Sequence, residues 1–283
     1  MKSQLIEVPY HLGQKGVGMG LGPTRLLADE TLDALRQHGH DVERVRLDVS
    51  VAEFGNEVAA SFRVIRAVRE SVRSAVEAGK FPLVVSGNYN SALGTLSGLG
   101  GELGIVWFDA HGDLNTPETT PSGYFDGMAL AQATGLCWRT LTKSIPGFRP
   151  VPEGDIVLVA ARDLDPGEEE LLERSPITWI RSPDIKAAGA KAALQPALDG
   201  LSQRTAGVYL HIDLDVLDPD VVTANAYAAE GGLTLDELQD AIKTIAARLP
   251  LEAAALAAYD PAADEESKGP AVACQLIDTI LAQ

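Results

Sequence analysis

The chain has 283 residues, and 46% of them are apolar, which is enough for a large core. It carries 40 acidic and 23 basic residues, which gives a net charge of −17. Such a surface repels nucleic acids and anionic membranes, because binding to either depends on attraction to phosphate groups. We therefore expect no nucleic-acid partner and no membrane partner, and we interpret the charge as a source of solubility.

Cysteine use and the amino-terminal segment bear on the compartment. Cys137 and Cys274 lie far apart and lack the spacing of metal ligands, so we expect free thiols in a reducing compartment. The first residues contain no apolar segment of the kind found in secretory signals, and no window approaches about 18 uninterrupted apolar residues. These features predict a cytoplasmic protein.

Short apolar runs alternate along the chain with longer amphipathic segments. The runs predict buried strands at 3–10 (SQLIEVPY), 41–49, 81–87, 101–113, 155–162, 176–182, 207–219 and 251–261. The amphipathic segments predict helices at 22–39 (GPTRLLADETLDALRQHG), 56–80, 90–100, 166–175, 191–203 and 233–249. This alternation predicts an α/β fold with a central, mainly parallel sheet covered on both faces, a single three-layer α/β/α domain over residues 1–283. The functional site is then expected at the carboxyl ends of the strands.

Two acidic motifs follow apolar runs. Asp109, His111 and Asp113 are spaced two residues apart, and so are Asp213 and Asp215, so each set points to one side of extended chain. Carboxylates brought together away from water repel, and a divalent cation relieves this. Carboxylates with one imidazole suit Mn²⁺ best, while Zn²⁺, Fe²⁺ and Co²⁺ stay possible. Asp is also a common strand-ending residue, but two motifs with the same spacing make that reading the weaker one.

These motifs resemble those of the ureohydrolase family, the arginases and agmatinases. The family's Asp-Ala-His-x-Asp motif stands at 109–113, its Asp-x-Asp-x-x-Asp-Pro motif at 213–219, its Gly-Gly-Leu-Thr at 231–234, and a Gly-Pro-x-x-Leu element at 22–26. The resemblance implies one α/β domain with a parallel sheet of about eight strands. It also implies hydrolysis of guanidino compounds at a manganese cluster of two ions, in a protein that is often a trimer or a hexamer.

The resemblance also assigns metal ligands. One ion would take Asp109, His111, Asp213 and Asp215. The other would take Asp109, Asp113, Asp213 and a histidine from the turn after the third predicted strand, where this chain has Tyr89. A register shifted by one residue would put Asn90 at that histidine instead.

A substrate role follows for residues outside the metal motifs. By resemblance, Asn115, Thr120 and Ser122 would bind the α-carboxylate of an amino acid, while Asp165 and Glu168 would meet its α-amino group. The last two have another interpretation, because an acidic residue, a proline and further acids are also typical of a helix start.

Two more departures from the family pattern accompany Tyr89. Asp126 stands where the family has a histidine thought to shuttle protons, and Ala258 stands where it has a glutamate that pairs with guanidinium. We therefore expect Asp126 to be the general acid or base, and Asp113 to bind a second ion or orient water. Tyr89 could reach the metal or line the substrate pocket. Asp260 or Asp126 could replace the missing carboxylate.

The leading hypothesis is a manganese-dependent, arginase-like hydrolase of C–N bonds in linear amidines, acting on a small amino acid or guanidino derivative with one or two ions. One alternative is a catalytically impaired protein of the same fold that binds a ligand or serves as a subunit. Another is a mononuclear, deacetylase-like amidohydrolase that uses Zn²⁺. His211, two residues before Asp213, is expected to be either a buried core histidine or a partner of that aspartate.

Overall fold

A computed structural model describes residues 2–51 and 55–283. The strands are β1 (Lys2–Val8), β2 (Tyr10–His11), β3 (Gln14–Lys15), β4 (Asp41–Arg46), β5 (Phe81–Ser86), β6 (Gly104–Phe108), β7 (Ile156–Val159), β8 (Thr178–Ile180), β9 (Val208–Asp213) and β10 (Leu251–Ala257). The helices are α1 (Gly22–Leu26), α2 (Asp29–Gln37), α3 (Glu57–Glu77), α4 (Ser91–Leu99), α5 (Ala129–Thr134), α6 (Arg139–Thr142), α7 (Pro166–Arg174), α8 (Ser182–Ala188), α9 (Ala190–Leu201), α10 (Leu235–Ala246) and α11 (Gly269–Leu281). Short 3₁₀ turns cover Gly18–Leu21, Asp126–Met128, Glu153–Asp155 and Leu214–Val216.

Eight of the strands form one parallel sheet in the order β4-β1-β5-β10-β9-β6-β7-β8. Successive residues of a strand point to opposite faces, so Leu83 and Val85 of β5 join one apolar cluster while Val84 between them joins the other. The first cluster packs α2, α9, α10 and α11 against the sheet, and the second packs α3, α4 and α5. The predicted three-layer α/β/α architecture with a parallel sheet is confirmed.

Each predicted strand and helix has an observed counterpart, but one predicted helix is interrupted, and neither the helices α5, α6, α8 and α11 nor the pair β2–β3 was predicted. The helix predicted over 22–39 is interrupted, since Ala28 is extended (φ −59°, ψ 159°) and α2 begins anew with acidic residues in its first turn. The carbonyl of Leu27, freed by this break, accepts a hydrogen bond of 2.7 Å from the Arg44 guanidinium. The antiparallel pair β2–β3 was not predicted, because each of its strands has only two residues.

The topology brings the two acidic motifs to one edge. Strands β6 and β9 are neighbours, with Trp107 opposite His211 and Phe108 opposite Ile212, so the motifs that follow these strands leave the sheet side by side. The turn after β5 reaches the same edge, one strand further along beyond β10. Cys137 is buried and Cys274 partly so, and neither is in a disulfide. Within residues 2–51 and 55–283, no helix combines the length and the apolar character needed to cross a bilayer.

Candidate metal and substrate site

Three of the predicted metal ligands converge at the ends of β6 and β9. Asp109, His111 and Asp215 each present one ligand atom, and these atoms all lie within 4.8 Å of one another. His111 Nδ1 lies 3.3 Å from Asp109 Oδ1 and 3.4 Å from Asp215 Oδ2. Both aspartates are fully buried, so the group forms a compact donor set of two carboxylates and one imidazole.

The other two predicted ligands each keep an unused oxygen. Asp213 Oδ1 accepts the main-chain N–H of Asp215 at 2.8 Å. Among the described residues, Asp213 Oδ2 and Asp113 Oδ2 are buried without a hydrogen-bond partner. Asp113 has a left-handed backbone (φ 52°), and its carbonyl accepts the N–H groups of Leu130 and Ala131, each at 3.0 Å. Buried carboxylate oxygens without donors are costly unless a cation or a proton meets them.

The crowding of buried carboxylates shifts the pKa values of the residues in this cluster. Burial, then the neighbouring carboxylates, raises the pKa of Asp113 and of Asp213 well above the usual range. Burial alone would lower the pKa of His111, but its hydrogen bonds to Asp109 and Asp215 outweigh this and raise it to about 12. The direction of these pKa shifts indicates that the buried carboxylates need positive charge nearby. A divalent cation meets the same need, so these residues fit a metal.

Groups that the sequence did not single out hold the ligand carboxylates in place. The Trp107 indole N–H donates to Asp109 Oδ2 at 3.0 Å, and the Asn225 amide donates to Asp215 Oδ2 at 3.0 Å. The Arg162 guanidinium donates to the main-chain carbonyl of Asp215 at 2.9 Å. Only Trp107 carried a usable signal, because it precedes Asp109 by two residues on the same strand face.

The turn after β5 is closed by a network that we call the Asn–Asp clasp, formed by Asn88, Asn90 and Asp126. The Asn88 amide donates to Asp126 Oδ2 at 2.5 Å, and the Asn90 amide donates to Asp126 Oδ1 at 2.6 Å. The side-chain oxygen of Asn90 accepts a hydrogen bond from the Gln132 amide at 2.8 Å. The side-chain oxygen of Asn88 accepts the main-chain N–H of Leu12 at 2.8 Å. The clasp therefore ties the turn to α5 and to the β2–β3 hairpin.

Asp126 lies at the centre of the clasp and is fully buried. Burial raises its pKa to about 7, against the opposing effect of the amides of Asn88 and Asn90. A pKa near neutrality suits a general acid or base, but both oxygens are already occupied by amides. The geometry therefore favours a structural role over the predicted proton transfer. Asp260 Oδ1 likewise accepts a main-chain N–H, from Ala262 at 3.0 Å.

A cavity of about 210 Å³ opens next to His111. Its lining includes the predicted site residues Tyr89, His111, Asp113, Asn115, Thr120, Ser122, Asp165 and Glu168. It also includes Gly127 and three side chains that the sequence did not single out, Tyr124, Asp163 and Tyr227. The residues predicted to bind substrate thus come together in one cavity beside the metal cluster, while their contact with a substrate stays a prediction.

Asp165 and Glu168, which line this cavity, also form a helix start, as their alternative interpretation predicts. Glu168 accepts the N–H groups of Leu114 (2.9 Å) and Asp165 (3.0 Å), and it forms a capping box with Asp165 at the start of α7. The Asn115 amide donates to Asp165 Oδ2 at 2.7 Å. The two interpretations are compatible, because each carboxylate has lone pairs beyond those the loop uses.

Thr120 and Ser122 lie at the exposed mouth of the cavity. Their hydroxyl oxygens accept the N–H groups of Gly123 (3.0 Å) and Tyr124 (3.1 Å), respectively. The two hydroxyl oxygens lie 3.5 Å apart, so one hydroxyl can donate to the other while the second hydrogen stays available to a carboxylate. The loop is therefore ordered by the same side chains that are predicted to meet the substrate.

Two further positions complete the description. Ala258 is buried in a left-handed conformation (φ 63°), and its carbonyl accepts from the Asn225 amide at 3.1 Å.

His211 stacks on Trp107 with ring centroids 3.6 Å apart, and the Tyr209 hydroxyl lies 2.8 Å from its Nδ1. Burial lowers the pKa of His211 to about 3, so the ring is neutral. These contacts favour the core interpretation of His211.

Known proteins are similar to this chain in sequence and in fold over nearly its full length. A model of the Arginase family matches residues 2–282. An arginase of Bacillus caldovelox is 32% identical over 99% of this chain and 97% of its own length. The crystal structure of arginase from Bacillus subtilis superposes with a TM-score of 0.90 at 29% identity, covering 100% of this chain and 99% of that one. The native structure of the Bacillus caldovelox enzyme also gives 0.90, at 31% identity, with coverage of 100% and 99%. This chain belongs to the arginase family.

Proposed function

We propose that this chain is a metal-dependent hydrolase that cleaves a C–N bond in a small linear amidine, an amino acid or guanidino derivative. The observation that supports this most is the convergence of Asp109, His111 and Asp215 beside a cavity that His111 lines. Membership of the arginase family supports the reaction class. The arginases among its relatives suggest, without fixing, the substrate.

We propose Mn²⁺ as the cofactor, in one or two ions, because carboxylate oxygens and one imidazole are a donor set that this ion prefers. Asp109, His111, Asp213 and Asp215 would hold the first ion, and the unused oxygens of Asp113 and Asp213 would serve a second. A divalent cation there would polarise the amidine and lower the pKa of a coordinated water, which is the chemistry that hydrolysis needs.

The chain's own residues would then bind and orient the substrate. Asn115, Thr120 and Ser122 would receive a carboxylate at the cavity mouth, and Asp165 with Glu168 would receive an amino group. Asp113, which lines the cavity, would orient the attacking water if it does not bind a second ion. We assign the clasp residue Asp126 to holding the turn, since its oxygens are engaged.

Several wider properties stay predictions. These are the cytoplasmic location, assembly into a homo-oligomer such as a trimer or hexamer, the lack of nucleic-acid and membrane partners, and the behaviour of residues 1–283 as one domain. The strong negative charge supports the prediction about nucleic acids and membranes.

A second candidate function is binding without turnover. Ala258 and Tyr89 support it, because they stand where the resemblance expects the guanidinium partner and a metal ligand. The mononuclear, deacetylase-like alternative also keeps some support, since the described residues contain one group of three convergent ligands rather than two.

Metal content and product release separate these candidates. The protein would be stripped with EDTA, dialysed against Mn²⁺ or Zn²⁺, and assayed for metal by inductively coupled plasma mass spectrometry. We expect bound manganese, together with urea release from guanidino compounds that EDTA abolishes and Mn²⁺ restores. His40→Ala, a change outside the site, should bind metal and release urea as the unmodified chain does. Metal without urea release would favour the binding protein, and tightly held Zn²⁺ with amide cleavage would favour the deacetylase-like enzyme.

Free L-arginine is a separate probe of the same proposal. We expect little turnover of it, because Ala258 offers no carboxylate to a guanidinium. A rate within the usual range of enzymes, about 1–10³ s⁻¹, would show that another residue supplies that carboxylate.

A further inference from the structure

Arg162 follows β7 and uses every donor of its side chain on main-chain carbonyl groups. A guanidinium carries its N–H donors, five in all, in a rigid planar fork. The acceptors are the carbonyl oxygens of Ala160 (3.2 Å), Asp215 (2.9 Å), Val216 (3.4 Å), Ala229 (2.7 Å) and Glu230 (3.0 Å). Because each donor already has an acceptor, this side chain holds main chain in place rather than a substrate or a carboxylate.

The acceptors of Arg162 lie in three segments that meet at the candidate site. One of them, Ala160, directly follows β7. Two belong to the second acidic motif and include the main chain of the predicted ligand Asp215. The other two belong to the loop 225–232, which contributes the half-exposed Tyr227 to the lining of the cavity. The guanidinium therefore bridges the metal cluster and the rim of the cavity.

Arg162 also contacts the first acidic motif, through its main chain. Its N–H donates to the carbonyl of Ala110 at 2.8 Å, and Ala110 lies between Asp109 and His111. The two motifs also meet directly, since the N–H of Ala110 donates to Asp215 Oδ1 at 3.2 Å. One residue thus joins both motifs, whose ligand atoms must keep fixed separations to bind a cation.

The loop packs closely enough on Arg162 to require a glycine. A Cβ added to Gly232 would lie 2.7 Å from Arg162 Nη2 and 2.5 Å from the main-chain nitrogen of Asp218. Both distances are shorter than van der Waals contact, so a larger residue at 232 would push the loop away from the guanidinium. This accounts for the second glycine of the Gly-Gly-Leu-Thr element at 231–234, to which the proposed function gives no part.

The charge of Arg162 and its hydrogen bonds have opposite effects on a bound cation. The positive charge repels a metal ion, so charge alone would weaken metal binding. Groups that orient a metal ligand strengthen binding, and losing one typically lowers metal affinity about 10- to 100-fold. The sign of the change on substitution therefore tells which effect is larger.

We propose that Arg162 is a positioning residue that couples the metal cluster to the rim of the cavity. It holds the main chain of Asp215 and the loop 225–232 in one arrangement, so binding of a metal ion stabilises the loop. Linkage is reciprocal, so an ordered loop in turn improves metal binding. The inference rests on the metal site of the function proposed above, but it does not depend on turnover.

Two substitutions separate the hydrogen bonds from the charge. Arg162→Lys keeps the charge and loses the planar fork, whereas Arg162→Gln loses both. The EDTA-stripped proteins would be titrated with Mn²⁺ by isothermal titration calorimetry. We expect Arg162→Lys to bind Mn²⁺ about tenfold more weakly than the unmodified chain, and Arg162→Gln also to bind it more weakly.

The matched control is Arg204→Lys. Arg204 also donates to a main-chain carbonyl, that of Gly154 at 2.6 Å, but at the amino end of β7, away from the site. Its variant should bind Mn²⁺ as the unmodified chain does. Unchanged affinity in Arg162→Lys, or tighter binding in Arg162→Gln, would overturn the positioning role, because charge would then be the larger effect.

Hydrogen exchange tests the coupling to the loop. The N–H groups of Tyr227 and Gly231 donate to Asn225 Oδ1 (2.8 Å) and Asp218 Oδ2 (3.0 Å), so their exchange rates report on the order of this loop. Exchange would be followed by mass spectrometry on peptides that cover 225–232, with EDTA and with Mn²⁺.

We expect Mn²⁺ to slow this exchange in the unmodified chain and in Arg204→Lys, but not in Arg162→Lys. Equal slowing in all three proteins would contradict the coupling. If the unmodified chain bound no Mn²⁺, the proposed metal site would fail, and faster exchange of Arg162→Lys than of Arg204→Lys with EDTA would still show that Arg162 holds the loop. Urea release enters neither measurement, so its absence would contradict the proposed hydrolysis alone.

Discussion

The two acidic motifs and the Asn–Asp clasp lie at one edge of the sheet, but they differ in whether the oxygens of their buried carboxylates accept hydrogen bonds. In the motifs, Asp113 and Asp213 each keep an oxygen without a donor. In the clasp, both oxygens of Asp126 accept amide N–H groups. A carboxylate with an unused oxygen is available to a cation, whereas a satisfied one holds structure. The contrast favours metal binding at the ends of β6 and β9 and a supporting role for the turn after β5.

The largest expected effect comes from neutralising one of the available carboxylates. Asp213→Asn keeps the size of the side chain and its acceptor for the N–H of Asp215, but it removes the negative charge that a cation needs. We expect metal affinity to fall by more than about 100-fold. Calorimetric titration of the EDTA-stripped protein with Mn²⁺ measures this change.

Asp220→Asn is the matched control, because Asp220 is an exposed aspartate in the loop that follows the same motif. Its affinity for Mn²⁺ should equal that of the unmodified chain. If Asp213→Asn bound metal as tightly as this control, Asp213 would not be a ligand.

The clasp should respond in stability rather than in metal affinity. Asp126→Ala leaves the buried amide of Asn90 without its acceptor, at a cost of about 1–3 kcal/mol, and removes the acceptor of the half-buried Asn88 amide as well. We expect the free energy of unfolding, measured by urea denaturation, to fall accordingly. Asp163→Ala, which removes a mostly exposed carboxylate from the cavity wall, should leave stability unchanged. A clasp variant as stable as this control would show that the network contributes nothing.

The fold and the metal motifs could be predicted from sequence because they depend on local patterns. Apolar runs specify buried parallel strands, and each acidic motif follows one of them, which brings Asp109, His111 and Asp215 together. The spacing by two residues does not extend to Asp113, which lies beyond the end of β6 with a left-handed backbone. The clasp could not be predicted, since Asn88 and Asp126 are 38 residues apart in sequence and only the tertiary fold brings them together. Tyr227 was missed for the same reason, because nothing in its neighbouring sequence marks it as a cavity residue.

The pH dependence of the unfolding free energy gives a second, finer test of the clasp. Burial raises the pKa of Asp126 from 3.8 to about 7, so the folded chain binds this proton more tightly than the unfolded chain does. The contribution of Asp126 to stability is therefore fully present below about pH 4 and is lost as the pH rises through about 7. The difference in unfolding free energy between the unmodified chain and Asp126→Asn, both with EDTA, should shrink over this range. A difference that stays constant from pH 4 to 7, about the interval of titration, would contradict the raised pKa.

The smallest expected effect comes from adding a metal ligand to the turn after β5, at residue 89. Burial, and then the charges of nearby carboxylates, raises the pKa of Tyr89 well above its usual range, and Tyr89 lines the same cavity as Asp113. A neutral phenol is a poor ligand there, whereas an imidazole is a good one. We expect Tyr89→His to tighten binding of a second Mn²⁺ by about tenfold. Metal analysis and the spin coupling of paired Mn²⁺ ions in electron paramagnetic resonance would detect it. Tyr89→Phe keeps the ring without a donor and should bind no additional ion. Equal metal content in the two variants would mean that the turn does not place residue 89 at the second ion, and would favour the register that puts Asn90 there.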